Sequence, residues 1–115
     1  MRYHGSCHCG RIAYDVEGEL TQVIECNCSH CSRKGFLFWF VPREQLTLTT
    51  PESDMSQYTF NKHVIRHQFC PSCGCAPVSF GTGPDGKAVA AVNVRCLENV
   101  DVDGLEHVPV DGRSF

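Results

Sequence analysis

The chain has 115 residues, a net charge of −3 and 42% hydrophobic residues. These values fit one small domain with a modest core. They leave no basic run for a nucleic-acid backbone and no apolar run long enough for a membrane span. The opening "MRYHGSCHCG" has no apolar h-region, so no secretory signal is expected.

Short strands and turns follow one another along the chain. "RIAYDVEG" sets Ile12, Tyr14 and Val16 against polar neighbours and stops at Gly18, which predicts a half-buried strand. "TQVIECN" is a second β-prone run. "FLFWFVP", Phe36 to Pro42, predicts an aromatic strand that is buried on both faces or lines a pocket with one of them. "QLTLTT" alternates and ends at Pro51. "SQYTFNKH" and "VIRHQFC" are further candidates, broken near Asn61, which reads as a turn residue. "CAPVSFG" precedes the turn signal "TGPDGK". The valines of "AVAAVNV" favour a strand over a helix. Beyond it, only a short helical turn near Leu97 to Asn99 is expected. The predicted fold is mainly β, with short antiparallel strands, little helix and cysteines carried on loops.

Nine cysteines mark the chain. Without a signal peptide they point to a reducing compartment, the cytoplasm, where clustered thiols serve as metal ligands more often than as disulfides. Cys70-Pro71-Ser72-Cys73-Gly74 has the form of a zinc knuckle, in which Pro71 presets the turn and Gly74 permits positive φ. Cys7 and Cys9 supply a second pair, since C-x-C on a strand puts both side chains on one face. Together they make a closed four-cysteine site between the first strand and a hairpin.

Cys26, Cys28 and Cys31 form a second cluster, spaced C-x-C-x-x-C. Three protein ligands with an exchangeable fourth position is the catalytic arrangement of zinc. The alternative is a fourth protein ligand from His30, His63, His67, Cys75 or Cys96.

The motifs "GSCHCG", "CNCSHCSRKG" and "HQFCPSCG" resemble the glutathione-dependent formaldehyde-activating enzyme family, and most closely the branch that includes centromere protein V. The agreement continues in "FVPREQLTL", "YTFNKHVIRHQFC", "NVRCLENVD" and "DGRSF", over about Gly5 to Phe115. The resemblance implies a β-tent fold stapled by two zinc ions. It implies structural zinc on Cys7, Cys9, Cys70 and Cys73, and catalytic-type zinc on Cys26, Cys28 and Cys31. The activity it implies joins glutathione and formaldehyde through a carbon–sulfur bond.

In that chemistry a thiol and an aldehyde are the partners. His30, His63 and His67 are candidates to move the proton, because histidine titrates near neutral pH. Arg33 and Lys34 are candidates for glutathione's carboxylates, or else surface charge. Trp39, with Phe36, Phe38 and Phe40, is a candidate pocket wall, or else core. Arg95 is a candidate anion contact. Cys75 and Cys96 read as small buried hydrophobes. The rival to an enzyme is a non-catalytic zinc-stapled domain, one that binds glutathione or another thiol without turnover or one that serves as an interaction domain.

Overall fold

A computed structural model describes residues 1–60 and 65–114. The predicted Asn61 turn and His63 lie outside the described residues. The fold is mainly β, as expected, and its strands form two sheets.

The small sheet is antiparallel, with β2 (Ala13–Glu17) between β1 (Arg2–Ser6) and β5 (Leu46–Leu48). In the large sheet β10 (Glu106–Val110) lies at one edge, followed by β3 (Gln22–Cys26), β4 (Phe38–Pro42) and β9 (Ala88–Asn93). Then come β8 (Val78–Thr82), β7 (Arg66–Phe69) and β6 (Ser56–Tyr58) at the other edge.

The period-2 pattern explains the layering. Ile12, Tyr14 and Val16 are fully buried, as their alternation predicts. Tyr14, Val16 and Leu46 meet Val23, Trp39, Val41, Val78, Ala90 and Val92 of the large sheet in the main core. The Tyr14 hydroxyl donates to the Pro77 carbonyl at 2.9 Å. Gly5 is paired opposite Tyr14. A Cβ there would lie 2.6 Å from the tyrosine ring, so glycine permits this approach.

The opposite face of the large sheet carries a second cluster of Cys31, Phe36, Phe38 and Ala91. The run from Phe36 therefore divides its rings between two environments. Phe38 faces this cluster, Trp39 enters the main core and Phe40 is half exposed.

The structure corrects three local expectations. Cys7 and Cys9 are not on a strand. They lie in a turn after β1, closed by Gly10 N–H donating to the Cys7 carbonyl at 3.2 Å, with Gly10 at φ 84°. The loop after Cys28 winds into a six-residue helix, α1 (Ser29–Lys34), ended by Gly35 at φ 69°. The chain after Arg95 does not end in one helical turn. Tight 3-10 turns occupy Val94–Cys96 and Val102–Gly104, and β10 then pairs with β3 in parallel. Parallel pairing is the exception to an otherwise antiparallel fold. Pro109 is tolerated because β10 is an edge strand. His107 Nδ1 lies 2.6 Å from Glu25 Oε1 and fastens β10 to β3. Among the described residues, no helix is long and apolar enough to cross a membrane.

Candidate metal centres and the adjoining cavity

Two groups of thiols converge, with the membership that spacing predicts. The sulfurs of Cys7, Cys9, Cys70 and Cys73 all lie within 4.8 Å of one another. Cys9 Sγ stands 3.7 Å from Cys7 Sγ and 3.6 Å from Cys70 Sγ. A tetrahedron with metal–sulfur bonds of about 2.3 Å has edges of about 3.8 Å, so this donor set fits zinc.

The surrounding backbone suits thiolates. Ile12 N–H donates to Cys7 Sγ at 3.3 Å, and the amides of Ser72 and Cys73 donate to Cys70 Sγ at 3.4 Å. Gly74, at φ 81°, closes the knuckle through its N–H to the Cys70 carbonyl at 2.9 Å. Arg11 Nη1 donates to Ser72 Oγ at 3.0 Å and ties the two knuckles together. Cys75 packs beside this centre. Burial first, then the neighbouring thiols Cys75, Cys7 and Cys73, push the Cys96 thiol up to about 11. Neither Cys75 nor Cys96 belongs to either ligand group.

The second group is Cys26, Cys28 and Cys31, again with sulfurs within 4.8 Å of one another. Cys26 ends β3, Cys28 caps α1 and Cys31 is buried inside it. Cys28 Sγ accepts the Cys31 N–H at 3.3 Å. Among the described residues, no fourth cysteine, histidine or carboxylate joins the cluster. Three thiolates and one exchangeable position fit a catalytic-type zinc.

The segment after β10 folds over this cluster. Asn27 Nδ2 donates to Asp111 Oδ1 at 3.0 Å, and Arg113 N–H donates to Asn27 Oδ1 at 2.9 Å. Between them Gly112 lies so close that a Cβ would overlap Cys26 Sγ. Gly112→Ala should therefore displace either the thiol or the segment. We expect at least tenfold weaker metal retention at this cluster and a melting temperature within a few degrees of wild type, read by chelator titration and thermal melting.

Two hollows meet here. One, of 450 Å³, has a mixed lining that carries two arginines: Cys28, Ser29, Ser32, Arg33, Phe60, Gly112 and Arg113. The other is a groove of 690 Å³ whose lining includes all three cysteines, Phe38, Phe40, Phe60, His67 and Gly112. Cys28, Phe60 and Gly112 belong to both.

The predicted contact residues separate. Arg33 lines the smaller hollow, although its Nη1 also donates to the Ser29 carbonyl at 2.8 Å. Lys34 is exposed at the end of α1. Arg95 is exposed and donates through Nε to the Gly35 carbonyl at 3.2 Å. Trp39 packs edge-on against Tyr3 in the main core, with ring centres 5.6 Å apart, and lines neither hollow. The pocket wall comes from Phe38 and Phe40 instead, because neighbouring strand residues face opposite ways. Phe60, Ser79, Gly112 and Arg113 are among the site residues not singled out from the sequence.

His30 and His67 lie with ring centres 4.3 Å apart and planes tilted by 49°, and His30 also stacks on Tyr58 and meets Phe60. Burial, then the Lys34 charge, lowers the His30 imidazole below its usual value. His67 is buried, with Nδ1 2.9 Å from Ser79 Oγ. Burial, then the charges of His30 and Lys34, lowers it to about 4. It is therefore neutral at pH 7, and its hydrogen bond with Ser79 is that of a neutral ring. An unfolded histidine binds its proton near pH 6.5. Between that pH and about 4 the unfolded state thus holds more protons, so stability falls on acidification. The His67 share of the loss should be about 3 kcal/mol across that window, and denaturant titrations should show the pH dependence of His67→Gln smaller by that amount.

A crystal structure of a Rhodobacter sphaeroides protein is similar, with a TM-score of 0.78 and 28% identity. The match covers 92% of this chain and 97% of that one. A family model described as glutathione-dependent formaldehyde-activating enzyme matches residues 2–108.

Proposed function

The chain belongs to the glutathione-dependent formaldehyde-activating enzyme family, and from that premise we propose that it is a zinc-dependent carbon–sulfur lyase. In this reading it adds glutathione or another thiol reversibly to formaldehyde or another aldehyde. One observation carries the reading: three thiols converge without a fourth described protein ligand, all lining the groove, with Cys28 shared by both hollows. Cys7, Cys9, Cys70 and Cys73 hold a structural zinc, and Cys26, Cys28 and Cys31 a catalytic-type one. Nine free cysteines suit a reducing compartment such as the cytoplasm.

Bound at the second cluster, zinc supplies the Lewis acidity that keeps an incoming thiol ionised at neutral pH. The protein's own groups do the rest. Arg33 and Arg113 offer positive charge to the thiol's carboxylates, with Lys34 nearby on the helix end. The groove offers the aldehyde an apolar wall of Phe38 and Phe40. As the carbon–sulfur bond forms, the carbonyl π pair moves to oxygen, which takes up the proton that the thiol gave. His30, His63 and His67 are the proposed carriers of that proton, His67 as a neutral ring held by Ser79.

Exchange NMR on a glutathione–formaldehyde mixture tests the reading. Faster hemithioacetal exchange with the protein than without it is the expected result. Glutathione binding with no acceleration would leave a thiol-binding module in place of the enzyme.

A further inference from the structure

We infer that the aldehyde handled at the second cluster is a large apolar one, alkyl or aromatic, whose carbon chain lies in the groove while the charged end of the thiol partner occupies the basic hollow. The inference rests on the thiol–aldehyde reading above and adds the substrate class to it.

Size is the first argument. A water molecule takes about 30 Å³ of liquid, and formaldehyde has only two heavy atoms. A groove of 690 Å³ is far larger than such a ligand needs and falls among cavities that enclose whole small molecules.

Chemistry is the second. Ile24, Phe38, Phe40, Phe80, Val89 and Val110 line the groove, and its described lining contains no lysine, arginine, aspartate or glutamate. Within that described lining the imidazole is His67, which is tied to Ser79. Glutathione carries two carboxylates and an ammonium, and these would lose hydration in the groove without gaining a charged partner among the described residues. The smaller hollow, by contrast, offers Arg33 and Arg113.

Placement is the third argument. Both hollows share Cys28, Phe60 and Gly112, so a ligand filling both has its reacting atoms beside the thiol cluster. Phe40 is 50% exposed and Ile65 47%, and both line the groove. An apolar chain would cover them. The step needs no oxidant or reductant. The S–H bond adds across C=O, forming a C–S bond and an O–H bond, and the reverse step releases thiol and aldehyde.

Calorimetry with the zinc-loaded protein and S-alkylglutathiones, from methyl to octyl, tests this without turnover. Each buried methylene should tighten binding about three- to fourfold, so the S-hexyl compound should bind at least about 100-fold tighter than the S-methyl one. Gly81→Leu fills the groove; among the described residues a Cβ at Gly81 meets only Ile65, at 3.6 Å or more, so the fold should accept it. Phe40→Asp instead puts a charge at the exposed end of the lining. In both variants the S-hexyl to S-methyl ratio should fall below about tenfold, and because it is read within one protein it is insensitive to partial unfolding. A flat wild-type series, with every member binding, overturns the apolar-aldehyde inference and leaves the thiol reading standing. No binding by any member, S-methyl included, overturns the apolar-aldehyde inference, and if free glutathione also fails to bind in the same titration the thiol reading falls with it.

Discussion

Cys70→Ser should unfold the protein at body temperature or lower its melting temperature by at least about 15 °C. Cys70 is fully buried at the end of β7, and its sulfur accepts two backbone N–H groups. Its partners Cys7 and Cys9 follow β1, so the four-thiol centre ties the small sheet to the large one. Structural zinc is worth about 10–16 kcal/mol in small zinc domains, whereas a whole domain has a net stability of only about 5–15 kcal/mol. Loss of one ligand to a poorly donating hydroxyl need remove only about 4 kcal/mol to give the stated shift, at roughly 4 °C per kcal/mol for this size. Cys75→Ser is the matched control. It lies two residues beyond Cys73, outside both ligand groups, and should melt within a few degrees of wild type. Thermal melting with a metal count on each variant checks both statements.

Cys28→Ser should have the opposite profile. Cys28 caps α1, and its sulfur accepts the Cys31 N–H. Serine is a preferred N-cap, so the variant keeps that hydrogen bond and the helix. The helix has only six residues and lies outside the main core. The melting temperature should therefore fall by no more than a few degrees. The metal-binding set, however, loses one of three thiols. Outer-shell changes at metal sites cost about 10–100-fold in affinity or activity, and loss of a direct ligand should cost more, at least about 1000-fold in turnover. Hemithioacetal exchange and thermal melting on the same sample separate the two effects. Equal collapse of stability and turnover would make the second cluster a staple.

Much of this arrangement is legible in the sequence. The alternation of Ile12, Tyr14 and Val16 places the small sheet's core face, and the spacing of seven cysteines divides them into the two groups that converge in space. Local signals end there. The run "SHCSRK" has one helical turn's worth of apolar signal, Cys31 alone, so α1 does not announce itself. In "EHVPV" a proline argues against a strand, and β10 owes its existence to β3, some eighty residues earlier in the chain, which no local pattern encodes. Strict alternation within "FLFWFV" would have separated Trp39 from Phe38 and Phe40. Its continuous apolarity hides that sidedness, because both faces are covered for most of the run. Gly112 gains its role from close approach to Cys26, a distance that only the folded chain creates.

In the function proposed, Cys26, Cys28 and Cys31 hold a metal with a position free for a thiol. Native mass spectrometry of protein purified without chelator, with and without glutathione, decides this. Two zinc ions per chain are expected, with a glutathione adduct that Cys28→Ser loses together with one zinc. A single zinc per chain, or two zinc ions indifferent to glutathione, would rule the open site out.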